Sequence, residues 1–146
     1  MANTLVSLEI LRVGPEGHHV HHPVDGGSRI FPGSMVASLN ATGQMVAGTT
    51  AASGRCVGIA CHDIDATLVA DGVCQLKFET NRDFLLTNGL TTDAFSDASQ
   101  PGSSAWMIDD NSVADNDGGA TRQLAGIFLG MDPSGKVRIH ISPQAP

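Results

Sequence analysis

From Ile30 onward the chain repeats one unit, a short β-rich run followed by a turn of Gly, Asn, Asp or Ser. The runs at 35–39 and 44–48 are separated by Asn40-Ala41-Thr42-Gly43, the spacing of a hairpin. Further strands are predicted over 55–61, 72–78, 104–108, 123–129 and 136–141. Two glycines at the 55–61 run point to close backbone approach. Asp132-Pro133-Ser134-Gly135 puts Pro at i+1 and Gly at i+3, the type I preference, and so joins the last two strands as a hairpin. Helical signals are weak: Thr91-Thr92-Asp93-Ala94-Phe95 can cap one short turn, and no other segment sustains a 3.6-residue period. Short strands with turn chemistry between them predict an all-β chain, a small barrel or sandwich of short antiparallel strands.

The N-terminal part reads differently. Val6, Leu8 and Ile10 alternate with Ser7 and Glu9, the period of a half-buried strand, until Gly14-Pro15 stops it. Glu16-Gly17-His18-His19-Val20-His21-His22-Pro23 lies between two prolines, which disfavour helix and predict an extended arm. The chain therefore divides into an N-terminal strand with a His-rich extended arm, residues 1–30, and a β-rich domain, residues 31–146. Val6, Leu8 and Ile10 form either a docking stripe for a partner or one face of a strand in the protein's own sheet.

Composition narrows the function classes. A chain of 146 residues suits one domain. Charged residues are 16% where about 25% is usual, while 41% hydrophobic content is too high for a disordered chain. The formal net charge of −7 removes the counterion-release term that drives nucleic-acid binding. No apolar run reaches the roughly 18 residues of a membrane span, and no basic stretch precedes an apolar one at the N-terminus, so neither insertion nor export is expected. The cysteines Cys56, Cys61 and Cys74 read as small packing residues in a reducing compartment.

Several short patterns resemble chemistry and fail on inspection. In an extended chain His18 and His22 share one side and His19 and His21 the other, so two imidazoles per face are weak candidates for a metal or a pH-sensitive contact. Cys61-His62-Asp63 places its groups on alternating sides of a strand, which is no nucleophile and base pair. Gly130 to Val137 follows a phosphate-loop pattern until Val137 replaces the hydroxyl residue, and a strand stands where a helix is needed. Asp115-Asn116-Asp117-Gly118-Gly119 lacks the downstream Glu of a calcium loop, leaving only a looser site with Asp109 and Asp110. There is no G-x-S-x-G elbow, and a trimeric nucleotide hydrolase of this size commonly uses a tyrosine that this chain lacks. The chain is therefore read as a non-enzyme without a cofactor; an enzyme would need a pocket converging on His62, Asp63 or Asp65.

A resemblance adds to this. Ala105-Trp106-Met107-Ile108-Asp109-Asp110, an acidic Gly-rich loop, Arg122-Gln123-Leu124-Ala125-Gly126 and a closing strand are similar to the C-terminal half of the capsid decoration (cement) proteins of tailed bacteriophages. Phe31-Pro32-Gly33-Ser34-Met35-Val36 resembles the family's opening strand, and Val57-Gly58-Ile59-Ala60 its "Val-Gly-hydrophobic-Ala" strand. Coverage is residues 30–142 in scattered motifs, and the His-rich arm and the segment 81–104 depart from the pattern. The resemblance implies a structural virion protein that binds the outer surface of a capsid lattice and stabilises the head. Its partners would be the major capsid protein and itself, as a homo-oligomer and specifically a trimer, with no nucleic acid and no membrane. It would be made in the host cytoplasm and reside on the virion. Val6, Leu8, Ile10, Phe31 and Trp106 are the candidate capsid or subunit contacts, and Arg122 is expected to pair with Asp109 or Asp110 across the hairpin. The alternative, from a different class, is a metal- or pH-responsive binding module using the His-rich arm.

Overall fold

A computed structural model describes residues 10–48 and 53–143. The strands run in the order β1 (Arg12–Val13), β2 (His18–Pro23), β3 (Arg29–Ile30), β4 (Met35–Ser38), β5 (Met45–Ala47), β6 (Gly58–Ala60) and β7 (Ile64–Asp65). They continue with β8 (Gln75–Thr80), β9 (Arg82–Asn88), β10 (Ser104–Met107), β11 (Ser112–Ala114), β12 (Leu124–Met131) and β13 (Val137–Ile141). One 3-10 turn, Thr91–Asp93, stands at the predicted capping sequence. The fold is all-β.

Two sheets carry it. β9, β11, β10, β12 and β13 follow one another around a ring that closes because β13 also pairs with β9, giving a five-stranded barrel with β1 attached to β9. Closure removes the exposed edges that an open sheet would present. β9 serves three neighbours: residues 82–86 pair with β13, while the other edge is shared by β1 at Asp83 and Phe84 and by β11 at Thr87 and Asn88. The second sheet has the order β2, β8, β6, β4, β5, and β3 pairs with β7 beside it. Asn81, at φ 57°, carries the chain from β8 in one sheet directly into β9 in the other.

Each sheet has its own apolar core. Inside the barrel Phe84, Leu86, Met107, Phe128, Val137, Ile139 and Ile141 are buried together. Phe95, from the segment after β9, stacks on Phe128 with ring centroids 4.4 Å apart, held by Asn88, whose side-chain amide bonds the backbone of Phe95 in both directions. Under the second sheet Val24, Ile30, Val36, Met45, Leu76 and Phe78 pack.

The 35–39 and 44–48 runs form the predicted hairpin, β4 with β5. The 132–135 turn closes β12 onto β13, Gly135 N donating to Asp132 O, so the sequence that mimics a phosphate loop is a hairpin. Gly58 meets the expected close approach, since a Cβ there would lie 2.5 Å from Glu79 O. The strand read at 55–61 is shorter than expected, because Cys56 N bonds Leu124 O in the barrel while Val57 N bonds Val36 O in the second sheet. That stretch crosses between sheets.

Residues 10–30, the described part of the segment read as a strand and an arm, are built into both sheets. β2 is extended as expected, but it lies along the whole of β8, and Val24 and Ile30 are fully buried.

Candidate functional site

The His-rich strand is the most exposed element of the fold. His18, His19, Val20, His21 and His22 are all exposed, and among the described residues β2 ends its sheet with β8 as its one strand partner. The register sets the faces: His18, Val20 and His22 stand opposite Thr80, Phe78 and Leu76, whereas His19 and His21 stand opposite Glu79 and Lys77. This is the two-and-two division expected of an extended chain. His22 Nε2 lies 2.9 Å from Gly43 O. Among the described residues no three His, Cys, Asp or Glu side chains converge as a metal site.

Behind β2 lies a buried ion network with no local sequence signal. Glu79, 1% exposed, accepts from Arg12 Nε through Oε1 and from Arg82 Nη1 through Oε2. Burial pushes this carboxyl up, but the hydrogen bonds from Arg12 and Arg82 outweigh it and leave the group below the ordinary carboxylate range. Arg12 is correspondingly held above its usual value by the bond to Glu79. The network ties β1 to β8 where the chain passes between sheets.

On the barrel wall, Asp83 binds Arg138 through Oδ2 at 2.6 Å and accepts from His140 Nδ1 through Oδ1 at 2.7 Å. His140 and Asp83 are paired across β13 and β9, so the dyad pins these strands.

Arg122 does not meet Asp109 or Asp110. Its guanidinium forks onto Asp93, Nη1 to Oδ1 at 3.1 Å and Nη2 to Oδ2 at 3.0 Å, and Nη1 also reaches Asn116 Oδ1 at 3.0 Å. These bonds and one from Asn116 hold the Asp93 carboxyl below its usual value. The reason is topological: the segment 81–104 returns Asp93 to the acidic loop, where Asp115 N bonds Asp93 O. Of the residues that resemble a calcium loop, Asn116 turns its side-chain and backbone oxygens to this guanidinium, while the Asp115 carboxylate accepts from Asn116 Nδ2 and the Asp117 carboxylate from Gly119 N. Asp109 instead accepts from Asn111 N, and Asp110 from Ser34.

Cys61, His62 and Asp63 do not assemble as a catalytic group. His62 Nε2 accepts from Lys77 N at 2.9 Å and is turned to that backbone rather than to Cys61 or Asp63. Asp63 pairs with Arg29 at 2.8 Å, and Asp65 stands 3.7 Å from the same guanidinium. Burial pushes the Cys61 thiol up and the Cys56 thiol up to about 12. All three cysteines are free.

Of the contact residues named from sequence, Val6 and Leu8 lie outside the described residues. Ile10 packs partly against the barrel core, and Leu85 N donates to Leu11 O, so the described end of this strand joins the protein's own sheet. Together with Leu11, Gly33, Leu85, Asn111 and Lys136, Ile10 lines a surface groove. Phe31 is half-buried beneath Arg29, whose guanidinium carbon sits 4.4 Å from the ring centroid. Trp106 is half-buried, and its neighbours Ala105 and Met107 point into the barrel, so the indole belongs to the outer wall.

Phe31-Pro32-Gly33-Ser34 and the Asp109-Asp110 turn, far apart in sequence, meet in space. Ser34 Oγ donates to Asp110 Oδ2 at 2.9 Å and Met35 N to Asp110 O at 2.6 Å, with Ser34 and Asp110 both buried. Among the described residues no helix is long and apolar enough to cross a membrane. Compared with known proteins, the chain matches no protein-family model and none of the curated proteins.

Proposed function

We propose that this protein is a structural virion component: a decoration module that binds the outer surface of a phage-type capsid lattice as a homo-oligomer, a trimer, and stabilises the head. The observation that supports the reading is the junction at Asp110. Two of the separate stretches that resemble decoration proteins are joined by the Ser34 and Met35 bonds to the turn between β10 and β11. The third, 57–60, sits on β4 immediately after Ser34. The resembling parts therefore form one physical unit.

A lattice-bound protein performs no chemistry. Its binding comes from modest contacts repeated by symmetry, so avidity replaces single-site affinity. Trp106 on the outer barrel wall and Phe31 beneath Arg29 supply the half-buried aromatic area such contacts use. The low charge content limits the number of ions desolvated on docking, and the net charge of −7 keeps the protein from competing for a packaged genome. The protein would be made in the host cytoplasm and end on the virion, with the major capsid protein as its partner. Sedimentation of the purified protein with empty heads tests this: it should pellet with the heads to a saturating stoichiometry, and protein left entirely in the supernatant would overturn the proposal.

A further inference from the structure

We infer that β2 is a metal-bridged edge through which two copies of this chain pair, with His19 and His21 of each copy supplying the imidazoles. The sequence His18-His19-Val20-His21-His22 reads identically in both directions about Val20. Such a palindrome is self-complementary in one arrangement, an antiparallel pair of strands related by a two-fold axis through Val20.

The backbone is oriented for that arrangement. Val24 N donates to Cys74 O at 2.9 Å, and on the other edge of β8 Cys61 N donates to Lys77 O at 3.0 Å, so Lys77 turns its backbone toward β6 and Leu76 and Phe78 turn theirs toward β2. Counting back by twos along the register, His22, Val20 and His18 turn their N–H and C=O groups toward β8. His19, His21 and Pro23 therefore turn theirs outward. Pro23 fits this parity, since its missing N–H faces away from β8. The outward groups of His19 and His21 have no backbone partner among the described residues. With the axis at Val20, His19 of each copy exchanges both backbone hydrogen bonds with His21 of the other. The two Val20 side chains then meet as the close, non-bonded pair that such a ladder requires at its centre.

Pairing also completes a metal site that one copy lacks. In one chain His19 and His21 lie two residues apart on a single face, beside Lys77 and Glu79, and Glu79 is already committed to Arg12 and Arg82. The second copy brings two further imidazoles onto the same face, across a strand separation of about 5 Å. Imidazole suits zinc, nickel and copper(II). The opposite face is less suited: there the same pairing gives only two separate pairs of imidazoles, His18 with His22 of the other copy, with the two Val20 side chains between them, and His22 Nε2 is at Gly43 O.

Light scattering of the full chain with and without zinc or nickel chloride tests the inference, and no capsid is needed. The weight-average mass should rise at least twofold with metal and return after EDTA. His19→Gln/His21→Gln should abolish the rise, and His18→Gln/His22→Gln should keep it, each with an unchanged far-UV circular dichroism spectrum as the control for folding. No rise with either metal, or a rise that survives His19→Gln/His21→Gln, would overturn it.

Discussion

Ser34 Oγ donates to Asp110 Oδ2 over 2.9 Å, with both residues buried, and so fixes the start of β4 to the turn between β10 and β11. The bond links the second sheet to the barrel. Removing the hydroxyl takes away a hydrogen bond to a buried carboxyl group, a loss of about 1–3 kcal/mol. Ser34→Ala should lower the urea midpoint accordingly, with the slope of the transition unchanged.

Glu79 holds two guanidinium groups at the passage between sheets. Glu79→Gln leaves Arg12 and Arg82 without their counter-ion and should cost about 3–5 kcal/mol in chemical unfolding. The same group gives a pH dependence. Its folded-state value lies below the ordinary carboxylate value, so its contribution is full above that ordinary value and is lost as pH falls through the folded one. Stability of the wild-type protein should therefore drop below about pH 4, and the drop should be shallower in Glu79→Gln.

Arg122 organises the acidic loop by a fork that a lysine cannot reproduce. Arg122→Lys should accelerate amide exchange at Gly118, Gly119 and Thr121 while leaving the barrel strands protected. If β10 and β12 lost protection equally, the loop would not be a separate local unit.

The Cys56 thiol, buried and pushed up to about 12, should resist alkylation at pH 8 in the folded protein and react fully once unfolded. Mass spectrometry after a short iodoacetamide pulse separates the two states.

The sequence showed what local rules govern. Period two placed His18 and His22 apart from His19 and His21, and the Asp132-Pro133-Ser134-Gly135 turn marked the β12–β13 hairpin. β9, the strand with most partners, escaped because Phe84, Leu85 and Leu86 form an unbroken apolar run. Phe84 and Leu86 face the barrel interior while Leu85 lies in the groove with Ile10 and Leu11, so both faces are covered and alternation vanishes. Arg122 binds Asp93 and not the expected Asp109 or Asp110 for a related reason: Asp93 lies 29 residues away and is brought back by a loop whose path depends on packing Phe95 against Phe128. The Glu79 network joins residues 67 apart, a separation that no motif spacing reports.

The capsid reading is tested most directly by cryo-electron microscopy of empty phage heads incubated with saturating protein. The account predicts added density on the outer face, at a repeated lattice position, into which the barrel fits with Phe31 or Trp106 at a contact. Bare heads, or density confined to the inner face, would contradict it.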